Sequence, residues 1–231
     1  MLLKRENTMS KQTRGDAGES KVEKVLDSLP IYHQLINNLM LVSTSNVSHQ
    51  IDHIFICEKG VFVIETKNYF GKISGDPRDS IWTKEIKGKK IVVSNPLTQN
   101  KSHVRIVKAT LKENVDIIPA TVFVKNNAPY MGDENVINLD DVPLFIAEYP
   151  CKNPISRAKI DYFANILLHS ESDISLGEHL KNIKEIKTNR KKEQDEMRYA
   201  IENRLCPKCH KPMEIKNQYL KCTGCSYKFK I

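Results

Sequence analysis

Three ionisable residues stand inside apolar sequence. In "QIDHIFICEKGVFVIETKN" Asp52, Glu65 and Lys67 are flanked by Ile, Val and Phe. A charge in a strand interior is costly unless it is paired, hydrated or bound to a metal. Two carboxylates converging on one face would form a hard-oxygen site for Mg²⁺ or Mn²⁺, ions that keep several waters and contact phosphate directly. A lysine two residues beyond Glu65 would point the same way, able to orient an attacking water or stabilise the charge developing on a phosphorane. The same residues could instead form an inward Asp–Lys–Glu salt-bridge cluster, or lie on a solvated face. Spacing alone leaves these readings open.

Register decides whether the three can meet. Along a strand Asp52, Ile54 and Ile56 share one face, and Val61, Val63, Glu65 and Lys67 share one on the next. An antiparallel hairpin with an even-numbered loop puts both sets on the same face; an odd loop separates them. Two flanking helices are expected. "DAGESKVEKVLDSLP" places Val22, Val25, Leu26 and Leu29 at helical spacing and ends at Pro30. Glu19 projects from that apolar face, and a place in the first turn would let the helix dipole favour it. "NPLTQNKSHVRIVKATLKE" opens with Asn95 as N-cap and Pro96 at the first helical position, with Leu97, Val104, Val107 and Leu111 as its stripe and Gln99 off it. His53 points away from Asp52; His49 and His103 could lie near the site and are assigned no role.

Elsewhere a first strand is expected within "IYHQLINNLMLVSTSNVSHQ", a short strand around Lys72–Ser74, and a hairpin through Trp82 and Ile91–Val93. "IIPATVFVKN" and "DVPLFIAEY" read as later strands and "SRAKIDYFANILLHS" as a closing helix. Trp82, the single tryptophan, is expected to pack, and Cys57 and Cys151 to be buried thiols. From about Glu171 to Arg204 the chain is charged and Pro-free, which reads as a solvated helical linker. No apolar run approaches the ~20 residues needed to span a bilayer, and the first residues carry no signal-peptide core. The expected setting is cytoplasmic, without a membrane partner.

Charge is unevenly placed. From Lys181 onward 14 Lys/Arg face 6 Asp/Glu, a net of +8, while the first 180 residues balance 22 against 22. A basic appendage on a neutral body suggests a polyanion-tethering module, with nucleic acid the first candidate.

That appendage contains Cys206-x2-Cys209 and, twelve residues on, Cys222-x2-Cys225. Each pair can offer two thiolates from a tight knuckle, and four thiolates close a tetrahedral structural Zn²⁺ site. So short a segment cannot bury enough surface to fold unaided, so the metal would supply the stability. "CPKCHKPMEIK" and "YLKCTGC" resemble the zinc ribbon at the C-terminus of bacterial type IA topoisomerases, a resemblance that implies DNA contact. Lys208, Lys211, Lys216, Lys221 and Lys228, with Tyr219, Tyr227 and Phe229, are the candidate nucleic-acid-binding residues. For some of these aromatics the plainer role is the ribbon's own small core.

The order helix with Glu19, strand with Asp52, strand with Glu65-Thr66-Lys67, helix with Gln99 resembles the PD-(D/E)xK nuclease core, and more narrowly the nuclease-related domain (NERD) family. "GDAGE", "QIDHIFICEKGVFVIETKN", "GKISG", Trp82 and "NPLTQNKSHV" carry the likeness. Ile51 stands where the proline that names the superfamily would be. The resemblance implies Asp52 and Glu65 as ligands of Mg²⁺ or Mn²⁺, Lys67 as catalytic lysine, Glu19 as an additional acid and Gln99 as a polar residue at the site's edge.

The expected fold is α/β: a restriction-endonuclease-like core with a mixed central sheet flanked by helices, plus a small zinc ribbon. The expected divisions are a tail over 1–14, the nuclease-like domain over 15–170, the linker over 171–204 and the ribbon over 205–231. The expected function is divalent-metal-dependent hydrolysis of DNA phosphodiester bonds, with RNA left open as a substrate. Two alternatives stand beside it: a non-catalytic DNA-binding protein with a vestigial nuclease fold, and a protein-interaction module that uses the ribbon. Protein partners are unassigned.

Overall fold

Ile, Val and Phe are most concentrated between residues 51 and 64, and there the chain runs as central strands buried on both faces. The computed structural model describes residues 11–129 and 135–230. It divides into a first unit ending at Asp173 and a second, Ile174–Ile231.

In the first unit α1 (Lys11–Asp27) precedes β1 (His33–Val42), β2 (Ser48–Cys57) and β3 (Gly60–Lys67). These strands form an antiparallel meander, and β7 (Ile117–Phe123) and β8 (Val136–Asn138) extend it in parallel, giving a mixed sheet ordered β1-β2-β3-β7-β8. Between β3 and β7 lie a small antiparallel sheet of β4 (Lys72–Ser74), β5 (Ile81–Ile86) and β6 (Lys89–Ser94), then α2 (Pro96–Leu111). α3 (Val142–Glu148) and α4 (Arg157–His169) complete the unit.

Side-chain alternation sorts the helices between the two faces of the sheet. Ile54, Ile56, Val61 and Val63 pack with Ile106 and Val107 of α2 and with Ile160, Phe163 and Leu167 of α4. Their neighbours Phe55, Phe62 and Ile64 pack with Val22 and Leu26 of α1 and with Val142 and Ile146 of α3. Each such side chain gains about 1.5–3 kcal/mol from burial. A one-residue slip of β2 against β3 would exchange the two sets, so the register is strongly held.

α2 is fastened at both levels. Asn95 accepts from the Leu97 amide as N-cap. Asn100, 1% exposed, donates to the carbonyls of Val63 at 3.0 Å and Ala120 at 2.9 Å. Pro119, opposite Val63 in the β3–β7 ladder, brings no N–H of its own. Trp82 packs as expected, 1% exposed, its ring stacked 6.4 Å from that of Phe123 and its Nε1 donating to the Asp76 carbonyl.

Several expectations change. "DVPLFIAEY" is helical in α3, not a strand: Pro143 suits a first helical turn, and Val142 and Ile146, four apart, are the buried pair. Cys151 is exposed, whereas Cys57 is buried as expected. α1 begins at Lys11, four residues ahead of the expected boundary at Gly15. Of the expected tail, residues 1–10 lie outside the described residues. Glu19 therefore sits beyond the second helical turn, where the helix dipole gives it little.

In the second unit α5 (Leu176–Asn203) opens with a Ser175–Glu178 capping box and closes at Arg204 in the left-handed conformation. A three-stranded antiparallel sheet follows, β9 (Met213–Lys216), β10 (Tyr219–Cys222) and β11 (Lys228–Lys230), ordered β11-β10-β9. Ala200, fully buried, packs in one cluster with Cys206, Met213 and Leu220. The end of the expected 171–204 linker thus shares the core of the 205–231 ribbon. Among the described residues no helix is long and apolar enough to cross a membrane.

Candidate active site and metal centre

The turn joining β2 to β3 is the two-residue Glu58-Lys59, with Cys57 opposite Gly60, His53 opposite Ile64 and Ile54 opposite Val63. That even loop is the one that puts the acids together: one rung beyond His53–Ile64, Asp52 falls opposite Glu65 on the face shared with Ile54 and Val63. Gly60 permits it with φ +137°, where an added Cβ would meet the Asp116 carbonyl at 2.6 Å.

Asp52 Oδ2 accepts from the Thr66 amide at 2.7 Å. Lys67 Nζ donates to Glu65 Oε1 and, at 3.2 Å, to Gln99 Oε1. Glu19 reaches the same place from α1. Its helix comes close to the end of β3 through Gly18, where a Cβ would stand 2.8 Å from that of Asn68. Glu19, Asp52, Glu65, Lys67 and Gln99 all line one cleft of about 460 Å³, together with Tyr69, Lys84 and Val93. All five candidate cleft residues meet.

Burial sets the electrostatics. Glu65 is 1% exposed, and burial raises its pKa despite Lys67 alongside. Burial and then the nearby Glu65 push Asp52 up to about 8. Burial, followed by Asp52 and Asp16, pushes Glu19 up to about 7. Burial opposes the charge on Lys67, but Glu65, Tyr69 and Asp52 together more than offset it and the ammonium is favoured. The cluster therefore carries more acid than one lysine can neutralise, a condition that a bound cation relieves. Glu65 Oε2, buried and not engaged by Lys67, is an oxygen suited to such an ion. Asp52 and Glu65 could hold Mg²⁺ or Mn²⁺, for which one or two carboxylates with water suffice.

Sequence reasoning placed His49 and His103 near these five without a role and left out Tyr69 and Lys84. His103, one helical turn after Gln99 on α2, places Nδ1 3.3 Å from Glu65 Oε2, and its ring meets that of His49 edge-on at 5.9 Å. The i,i+4 spacing from Gln99 was the available signal. His53 lies on the opposite face as expected, bonded to Asn37 Oδ1 at 2.7 Å and pushed by burial down to about 4. Tyr69 and Lys84 come from outside the recognised pattern and had no sequence signal.

In the second unit the four sulfurs of Cys206, Cys209, Cys222 and Cys225 lie within 4.8 Å of one another, with separations of 3.3, 3.6 and 3.6 Å for three of the pairs. A tetrahedron with Zn–S bonds of ~2.3 Å has S–S edges of about 3.8 Å, so the set fits structural zinc. The Gly224 amide donates to Cys222 Sγ at 3.2 Å. His210, no ligand, meets Tyr199 of α5 edge-on. Among the described residues this is the one cluster of three or more potential ligands that close.

The ribbon's candidate contacts divide. Lys208, Lys211, Lys216, Tyr219 and Lys228 are exposed and Lys221 half-buried. Lys216 is paired with Glu214 at 3.0 Å. Lys228 lies over the Tyr219 ring. Tyr227 packs against the cysteine cluster, with Lys208 over its ring. Phe229 is on β11, and its side chain lies outside the described residues.

Residues 14–124 match the model of the nuclease-related domain family. The chain is also 32% identical over 142 residues to an uncharacterized protein of Bacillus anthracis, a match covering 59% of this chain and 67% of that one. No solved structure matches it. With residues 14–124 carrying β1 to β7, α2, most of α1 and the whole lining of the acidic cleft, the chain belongs to the nuclease-related domain family.

Proposed function

We propose that the chain is a divalent-metal-dependent nuclease that hydrolyses DNA phosphodiester bonds, with the zinc ribbon as a nucleic-acid-binding element. The observation that carries this reading is the meeting of Asp52, Glu65 and Lys67, from adjacent strands, with Glu19 and Gln99 in one cleft. Asp52 and Glu65 would be the ligands, and a bound Mg²⁺ or Mn²⁺ would supply positive charge against the scissile phosphate.

The chain's own groups have separable tasks. Thr66 fixes one oxygen of Asp52. Gln99 and Glu65 hold the Lys67 ammonium at the cleft, where it can donate to an attacking water or to an oxygen gaining charge as the phosphate is attacked. Glu19, with a pKa near neutrality, can accept a proton there. In the ribbon, exposed lysines beside Tyr219 suit a phosphate backbone with unstacked bases.

The test is cleavage of supercoiled plasmid and end-labelled linear DNA with Mg²⁺ or Mn²⁺, beside Asp52→Ala and Lys67→Ala. Loss of cleavage in both variants supports the site, and the products separate nicking from end degradation. Binding without cleavage by the unaltered chain would overturn the enzyme in favour of a binding protein. Activity surviving both substitutions would place the chemistry elsewhere.

A further inference from the structure

The body of the chain carries no net charge up to residue 180, yet one side of the β5–β6 hairpin does. Its register sets Trp82 opposite Val93, Lys84 opposite Ile91 and Ile86 opposite Lys89, so these six share one face. Trp82 and Val93 root that face in the core. Val93 and Lys84 line the acidic cleft, and Lys84 Nζ lies 5.0 Å over the ring of Tyr69, another cleft residue. Farther out the same face carries the exposed Lys89 and ends at the turn Lys87-Gly88, both at positive φ as a two-residue hairpin turn requires. The hairpin's one acid, Glu85, is on the other face, opposite Lys90 and next to Lys72 of β4. Scattered surface lysines would be ordinary; here Glu85 is answered by Lys90 and Lys72 on its own side, while Lys84 and Lys89, on the side that continues the cleft wall, have no acid of the hairpin beside them.

Resting on the nuclease reading of the cleft, we propose that the β5–β6 hairpin is an arm whose Lys84, Lys87 and Lys89 hold the phosphate backbone of the nucleic acid leading into the cleft. From Lys84 to the turn is ~10 Å of strand, the axial length of about three nucleotides. A polyanion fits the arm, where its phosphates meet the lysines, and one phosphate would reach the Asp52–Glu65 cluster with the cation that those acids are suited to hold. The first unit thereby has a substrate contact of its own, separate in sequence from the basic second unit.

The test uses the full chain carrying Lys84→Ser, Lys87→Ser and Lys89→Ser together. A second variant with Lys108→Ser, Lys152→Ser and Lys159→Ser is the charge-matched control. Binding of a fluorescein-labelled duplex and of its single strand is followed by anisotropy against salt, without added Mg²⁺ or Mn²⁺. Cleavage of plasmid with Mg²⁺ or Mn²⁺ is run in parallel. Trp82, the single tryptophan, sits at the root of the arm, and unchanged emission certifies that the arm variant is folded. The expected result is a slope of log affinity against log salt shallower by about 2–3 in the arm variant, near one per lost phosphate contact, with the control close to the unaltered chain. An unaltered slope in the arm variant, or an equal loss in the control, would overturn the arm while leaving the cleft reading intact. Failure of the unaltered chain to cleave with either metal would overturn the nuclease reading, and the slopes would still decide whether the arm binds.

Discussion

The Thr66 amide donates to Asp52 Oδ2 at 2.7 Å, so the strand bearing Glu65 and Lys67 also fixes the acid on its neighbour. One backbone contact thus couples strand register to the orientation of a buried carboxylate. It also explains why that carboxylate tolerates its position although burial makes its charge costly.

The pH dependence of stability follows from this acid. Asp52 has an ordinary pKa of 3.8, raised in the fold to about 8 by burial and by Glu65. Between those values the folded chain keeps a proton that the unfolded chain has released. Its contribution therefore falls as pH rises from about 4 to about 8 and is flat on either side. Asp52→Asn removes the titration while leaving an oxygen to accept from Thr66. Without added Mg²⁺ or Mn²⁺, the stability of the unaltered chain minus that of Asp52→Asn, from urea unfolding, should decline across this window. Parallel pH profiles would show that Asp52 is not held protonated.

Lys67→Met should leave a folded protein and reduce DNA cleavage by about 10²–10³-fold, the usual consequence of losing one group that stabilises developing charge. Gln99→Ala, removing a partner that only orients the ammonium, should cost less. Single-turnover rates at saturating metal and DNA would rank the two. A larger loss for Gln99→Ala would reverse their roles.

Asn100→Ala removes both amide bonds to the Val63 and Ala120 carbonyls, which belong to the β3–β7 ladder. At about 0.5–1.5 kcal/mol per hydrogen bond, a loss of roughly 1–3 kcal/mol is expected, measured by chemical denaturation. A change below ~1 kcal/mol would mean that water or backbone adjustment replaces the amide.

Much of this was legible in the chain because period-2 and period-3.6 patterns report which side chains are buried. Alternation gave each acid its place on its own strand, the even turn that brings the two to one face came from the structure, and Asn95-Pro96 marked the start of α2. Val142 and Ile146 were misread because a seven-residue helix offers too few positions to separate the two periods, and the Leu139–Asp141 turn before it had no sequence mark.

Zinc removal should act on the second unit alone. Chelation or Cys222→Ser should expose the amides of β9 and β10 to rapid hydrogen exchange, because their core is the cysteine cluster with Ala200, Met213 and Leu220. Exchange in β2 and β3 should be unchanged. Metal analysis should find about one zinc per chain, the capacity of one four-thiolate site. Slow exchange in β10 without metal would show a ribbon that folds on apolar contacts.

By itself the sequence determined the alternation that places Asp52, Glu65 and Lys67 on their own strands, the helical positions of Glu19 and Gln99, and the spacing of the four cysteines. These are local rules, written in neighbours a few residues apart. Only the tertiary structure decided that α1 approaches β3 through Gly18, that Asn100 bridges two strands, that His103 reaches Glu65, and that Lys84 of a separate hairpin joins the cleft wall. Those contacts join residues tens of positions apart, where no periodicity extends, and they exist only once the sheet and its helices have packed.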